Sequence, residues 1–131
     1  MDRLKRAFEA AREARNRAYA PYSEYKVGAA ILLPGEDRIY TGCNIENASY
    51  GATVCAERAA LFSLIAEKGK VEPERLVVVT DDSPAAVPCA LCLQVLAEFC
   101  PDDFPIHLAN SNGIERTLRL KDLLPHPFRL T

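Results

Sequence analysis

The chain has no tryptophan, one methionine and two histidines among its 131 residues. Its apolar residues never run on for the roughly 20 positions that a membrane-spanning helix needs. The opening stretch, MDRLKRAFEAAREARNR, is too charged for the apolar segment of a secretory signal. No membrane partner is expected, and a cytoplasmic setting is. An excess of positive charge is missing as well: 16 Lys and Arg face 18 Asp and Glu, for a formal net charge of -2. That balance gives no electrostatic footprint for a polyanion, so no nucleic acid is expected and a small molecule fits better. Repeats, low-complexity tracts and linkers are also lacking. Residues 1–131 are therefore expected to form one domain, long enough to bury an ordinary core without staples.

Cysteine, by contrast, is present five times, and three of the five fall in VPCALCLQVLAEFC, residues 87–100. Disulfides, a metal or core packing would each account for such a cluster. An odd count in a reducing compartment argues against a disulfide framework and adds weight to metal or catalytic use.

The apolar pattern places these residues on elements. Leu4, Ala7, Phe8, Ala11, Ala14 and Ala18 recur at helical spacing, which predicts an amphipathic helix ended by Pro21 and Tyr22. Residues 26–33 and 38–43 read as two strands joined by the turn residues Pro34, Gly35, Glu36 and Asp37. A helix over 54–68 stops at Gly69, and residues 76–80 (LVVVT) suit a strand buried on both faces. Pro88 is expected in the first turn of the next helix, where its missing N–H is no loss. Residues 106–109 and 114–118 read as a last strand pair across 110–113, and 121–124 as a final helical turn. Helices interleaved with five strands imply an α/β fold, a three-layer α-β-α sandwich around a five-stranded mixed sheet.

The chemistry gathers in TVCAERAA (53–60) and PCALC (88–92). Both cysteine sites begin helices, where unpaired N–H groups and the positive end of the dipole favour a thiolate. Cys89 and Cys92 stand one turn apart, the spacing that lets two sulfurs share a tetrahedral ion. Cys55 can supply a third sulfur, leaving a fourth position open, as in a catalytic zinc site. Glu57, in the same first turn as Cys55, can lie beside that position without ligating and act as a general acid and base.

Cys55-Ala56-Glu57 followed by Pro88-Cys89-Ala90-Leu91-Cys92 resembles the zinc deaminase signature in its three-cysteine form. PYSEYKVGAA (21–30), TGCNIENASYG (41–51), CAER (55–58), CLQVLAEF (92–99) and LLPHPF (123–128) extend the resemblance to the small cytidine deaminases over almost the whole chain. It implies a cytidine deaminase-like fold and a Zn2+ cofactor on Cys55, Cys89 and Cys92. It also implies hydrolysis of cytidine or deoxycytidine to the uracil nucleoside and ammonia by zinc-bound hydroxide, with Glu57 as the proton shuttle. Asn44 and Glu46 match the pair that holds the ribose 3'-hydroxyl, which both sugars carry, and the Ala56 N–H matches a contact to the base carbonyl. Tyr25 stands where the family usually has Phe, an aromatic wall with a hydroxyl that needs a partner. Tyr50 and Phe128 match residues that reach a neighbouring subunit's site, so the resemblance implies a homotetramer with shared active sites.

The chain departs from the usual P-C-G-x-C-R-Q at Ala90 and Leu93. Three thiolates and a hydroxide on zinc carry a formal excess of negative charge, and with no arginine at 93 that charge falls to Arg58. Each assignment has a plainer rival. The three cysteines could be buried apolar residues, Glu57 a carboxylate favoured by the helix dipole, Arg58 a solvated helix residue. Asn44 and Glu46 could cap a loop, and Tyr50 and Phe128 could be ordinary core or interface aromatics. Cys43 and Cys100 are expected in the core, and His107 and His126 are given no role. Two other functions stay open: a deaminase of a modified cytosine nucleoside or nucleoside antibiotic, and a non-catalytic zinc-stabilised module whose fourth ligand is Cys43, Cys100 or His107.

Overall fold

A computed structural model describes residues 2–130. Helix α1 (Arg3–Arg15) starts at Asp2, whose side chain accepts the Leu4 N–H, and buries Ala7, Phe8, Ala11 and Ala14, the stripe set by their spacing. The strand pair β1 (Gly28–Leu32) and β2 (Ile39–Cys43) follows. Glu36 N–H closes the turn between them onto the Leu33 carbonyl, with Pro34 and Gly35 in its centre and Gly35 at φ 74. A short 3₁₀ turn at Tyr50–Ala52 leads to α2 (Ala56–Lys68), and Gly69, also at φ 74, ends that helix. The chain continues through β3 (Arg75–Val79), α3 (Ala90–Phe99), β4 (Pro105–Asn110), β5 (Gly113–Arg119) and the single turn α4 (Leu120–Leu123).

The sheet order is β2-β1-β3-β4-β5, with β3 and β4 parallel and the other neighbours antiparallel. Alternation along the central strands splits the core in two. Ala30, Leu32, Val77 and Val79 face α1, whereas Ala29, Ile31, Leu76, Val78, Ile106 and Leu108 face α2 and α3. The expected three layers are therefore present. Register brings the start of β1, the end of β2 and the end of β3 to one edge of the sheet, since Gly28 lies opposite both Cys43 and Val79. That edge carries the site.

Two glycines allow the layers to close there. A Cβ at Gly28 would collide with the Ala11 carbonyl oxygen of α1, and one at Gly42 would stand 2.6 Å from the Ala56 carbonyl oxygen of α2. Glycine at 42 thus lets the first turns of α2 lie directly on β2.

Three expectations need correction. Helix α1 stops at Arg15, short of Ala18 and well before Pro21, because Tyr19 is drawn out to pair with the 44–46 loop: its N–H donates to the Asn44 carbonyl and its carbonyl accepts from Glu46 N–H. Pro88 lies before the helix rather than inside its first turn, since Cys89 itself is the N-cap of α3. Cys100 is in the core as expected, but Cys43, at the end of β2, is only half-buried.

His107 on β4 is 5 % exposed, with Nδ1 2.7 Å from Thr117 Oγ1 and Nε2 3.4 Å from the Arg75 guanidinium. Burial, helped by the Arg75 charge, pushes its pKa down to about 4.

Two outcomes follow from this packing. Gly42→Ala should destabilise the fold by about 3 kcal/mol or more, because the helix backbone has to move, and should weaken zinc retention with it. Urea unfolding and metal analysis of the variant check this. His107 is neutral in the fold, so its stabilising contribution is complete above the unfolded histidine pKa of about 6.5 and is lost as pH falls toward the folded value. The unfolding free energy of the wild type should fall more steeply than that of His107→Gln between these limits, by a difference on the order of 2 kcal/mol in urea titrations.

Candidate metal centre and active site

Cys55 and Cys89 are the N-cap residues of α2 and α3, and Cys92 is three residues into α3. Extended backbone at both caps, φ -75 and ψ 156 at Cys55 and φ -70 and ψ 166 at Cys89, turns the two helix starts toward one another. Cys55 Sγ and Cys89 Sγ are 3.9 Å apart, and all three sulfurs lie within 4.8 Å of one another. Sulfurs bound at about 2.3 Å to one tetrahedral zinc stand about 3.8 Å apart, so the donor set and its spacing fit that ion. Among the described residues, Cys43, Cys100 and His107 are outside the cluster, which leaves the zinc-stabilised module without its proposed fourth ligand.

Charge is unevenly shared within the cluster. A hydrogen bond from the Cys92 thiol, with further help from Arg58 and Cys89, brings the Cys55 pKa down to about 5 against the opposing effect of burial. Cys92, wholly buried, is pushed up by its role as donor to Cys55 and by desolvation. Arg58 Nη2 is 3.6 Å from Cys55 Sγ and 3.5 Å from the Thr53 carbonyl oxygen. Leu93 points away into the core between α2 and α3, 5 % exposed, so Arg58 is the cation that meets these sulfurs. Ala90 is exposed at the first position of α3.

Glu57 is 5 % exposed, and burial, with the nearby Cys55 charge, raises its pKa to about 7. It lines a cavity of ≈ 280 Å³ together with Cys55, Ala56 and Cys89. Tyr25, Asn44 and Glu46 line the same cavity from the loops at the sheet edge. Asn44 Oδ1 accepts from Val27 N–H at 2.8 Å and its Nδ2 donates to the Tyr25 carbonyl at 2.7 Å. Glu46 accepts from the backbone N–H groups of Tyr22 and Ser23 and from the Ser23 hydroxyl. Both side chains thus brace residues 22–27 and border the cavity at once; their loop-bracing and cavity-lining roles coexist.

Tyr50 and Phe128 lie apart from this cavity. Tyr50 is 76 % exposed, stacks edge-on against Tyr22 and borders an adjoining cleft with Glu46 and Asn47. Phe128 is 71 % exposed, with its backbone N–H and carbonyl both held by the Gln94 amide. Sequence reasoning missed Val78, Thr80, Ala86 and Val87, which line the same cavity. It also missed Asp82, whose carboxylate takes the Tyr25 hydroxyl at 2.6 Å. The signal was there in part: a tyrosine hydroxyl in want of a partner, and a polar TDDS run directly after a buried strand.

Comparison with known proteins agrees with this geometry. The cytidine and deoxycytidylate deaminase zinc-binding region matches residues 1–108. The chain is 44% identical to a cytidine deaminase of Halalkalibacterium halodurans over 116 residues, covering 88% of this chain and 86% of that one. It is 46% identical over 118 residues to a cytidine deaminase of Sporosarcina psychrophila, covering 89% and 85%. The crystal structure of a cytidine deaminase from Burkholderia pseudomallei superposes with a TM-score of 0.89 at 41% identity, over 95% of this chain and 98% of that one.

The cluster should hold one zinc per chain in protein prepared without chelator. Cys92→Ser should lose it on dialysis, because a hydroxyl replaces the buried sulfur. Elemental analysis of both proteins reads the result, and a zinc-free wild type would contradict it.

Proposed function

Since the chain belongs to the cytidine and deoxycytidylate deaminase family, we propose that it is a zinc hydrolase that converts cytidine, and with it deoxycytidine, to the uracil nucleoside and ammonia. The observation that carries this reading is a cluster of three sulfurs, two of which, Cys55 and Cys89, line the same small cavity as the buried Glu57 carboxylate. Bound by Cys55, Cys89 and Cys92, zinc supplies a Lewis acid that makes water nucleophilic near neutral pH.

The chain's own residues do the rest. Glu57 takes a proton from the attacking water and delivers it to N3 of the cytosine ring. It then carries a proton to the exocyclic nitrogen as the C4–N bond breaks and the new C4–O bond becomes the uracil carbonyl. A carboxyl poised near neutrality suits both directions of transfer. Ala56, first residue of α2, has a backbone N–H with no acceptor inside the helix, and it meets the base carbonyl. Asn44 keeps its second amide hydrogen free of the bond to Tyr25, and with Glu46 it addresses the sugar hydroxyl. Tyr25 forms an aromatic wall, and Arg58 offsets the thiolate charge.

The single domain spanning residues 1–131 works as a homotetramer in this reading. The exposed rings of Tyr50 and Phe128 lend support, since a lone subunit leaves both largely in water and a neighbour's site would cover them. A cytoplasmic setting agrees with five cysteines that are all unpaired.

Glu57→Gln should keep fold and zinc while ammonia release from cytidine drops by at least about a hundredfold, the usual size of a general acid and base contribution. Near-normal turnover in a zinc-loaded variant would reduce Glu57 to a carboxylate at a helix start.

A further inference from the structure

Beside the start of α2, the cavity is lined by two stretches of chain far apart in sequence. Ser23, Tyr25 and Val27 come from one, and Val78, Thr80, Ala86 and Val87, at the end of β3 and in the loop after it, from the other. The Tyr25 hydroxyl crosses between them to Asp82 Oδ2 at 2.6 Å. Burial, and then the bond to Asp82, raise the Tyr25 pKa, so the phenol is a protonated donor at neutral pH.

The loop that carries Asp82 is itself firmly held. The β4–β5 ladder slips between Leu108 and Ala109: Leu108 opposes Arg116 and Ala109 opposes Ile114, which leaves Glu115 as the extra residue of a bulge. A bulge re-aims a side chain, and Glu115 turns to the loop. It accepts from Ala85 N–H at 2.6 Å, the Ser83 hydroxyl at 2.9 Å and Asn110 Nδ2 at 2.6 Å. Asn110, 4 % exposed, donates also to the Asp82 carbonyl at 3.1 Å. Asp82 is thus a fixed acceptor for Tyr25.

We propose that Asp82 is a positioning residue for the deaminase: by holding the Tyr25 hydroxyl it fixes the aromatic wall and sets how tightly the nucleoside is held. The inference rests on the functional reading above and adds a residue outside the metal centre and its signature motifs. A ring pinned at its far end is already arranged for the substrate, so less ordering remains to be done on binding. Because Asp82 does not reach the reacting atoms, its removal acts on substrate binding more than on the chemical step.

The test is a mutant cycle on zinc-loaded protein, with cytidine kinetics, melting temperature and amide exchange over residues 81–87. Tyr25→Phe and Asp82→Ala should each raise KM by about tenfold, the scale of one charge-assisted hydrogen bond, with much smaller changes in kcat. The double variant should be no worse than either single one, since both remove the same bond. Asp82→Asn retains an acceptor oxygen and should restore most of the affinity. Amide exchange in the loop should quicken in Tyr25→Phe. An Asp82→Ala protein with wild-type KM, effects that multiply in the double variant, or an Asp82→Asn protein as impaired as Asp82→Ala would overturn the proposal. So would a loss of kcat that follows melting temperature alone. A wild-type chain that holds zinc but releases no ammonia from cytidine would instead overturn the functional reading; cytidine affinity by calorimetry and the exchange rates would then judge the Tyr25 to Asp82 tie separately.

Discussion

Everything at the site depends on how closely the first turn of α2 lies on β2. Position 42 has no room for a side chain beneath the Ala56 carbonyl, and this contact sets the height of the helix start over the sheet edge. Cys55, Ala56, Glu57 and Arg58 all belong to that start, so one backbone contact places a sulfur, a free N–H, a carboxylate and a cation together. A helix resting one methyl group higher would move all four relative to Cys89 and Cys92, which come from another helix with its own seat on the sheet. Close packing here is what makes the site's geometry, because a dense interior transmits such a shift instead of absorbing it.

The electrostatics follow from that placement. Cys55 and Cys89 stand at the positive ends of two helix dipoles, and Arg58 comes within 3.6 Å of Cys55 Sγ. Negative charge is thereby tolerable in a half-buried place, yet it remains close enough to Glu57 to reinforce the effect of burial on that carboxyl. The same proximity that favours thiolates at the metal centre makes the neighbouring acid a weak one, which is the state a proton shuttle needs at neutral pH.

Away from the metal centre, side chains brace the backbone and border the cavity at once. Asn44 and Glu46 brace the 22–27 backbone while facing the cavity, and Tyr25 from that same stretch leans on Asp82. The loop holding Asp82 is tied to a bulged hairpin on the far edge of the sheet through Glu115 and Asn110. The loops on one side of the cavity are thus fixed by hydrogen bonds to side chains, whereas the metal side is fixed by helix packing. The two halves of the cavity are held by different physics.

The elements and the metal centre were legible in the amino-acid order because their causes are local. Apolar residues at helical or alternating spacing specify helices and strands, and cysteines placed at helix starts one turn apart specify a shared ion. Local pattern was a poorer guide where a distant partner competed: Tyr19 left its helix to pair with residues 44–46, and Pro88 ceded the helix start to Cys89. Leu93 is a related case, since only packing showed that its side chain turns to the core and leaves the cluster charge to Arg58. Spacing along the chain determined which residues can act as metal ligands, as a proton shuttle and as the faces of the sheet. The tertiary structure decided that Asp82 meets Tyr25 and that Glu115 meets the loop at Ala85, because hydrogen bonds between segments dozens of residues apart depend on register, a bulge and the seat of a helix, none of which is encoded by neighbours in sequence.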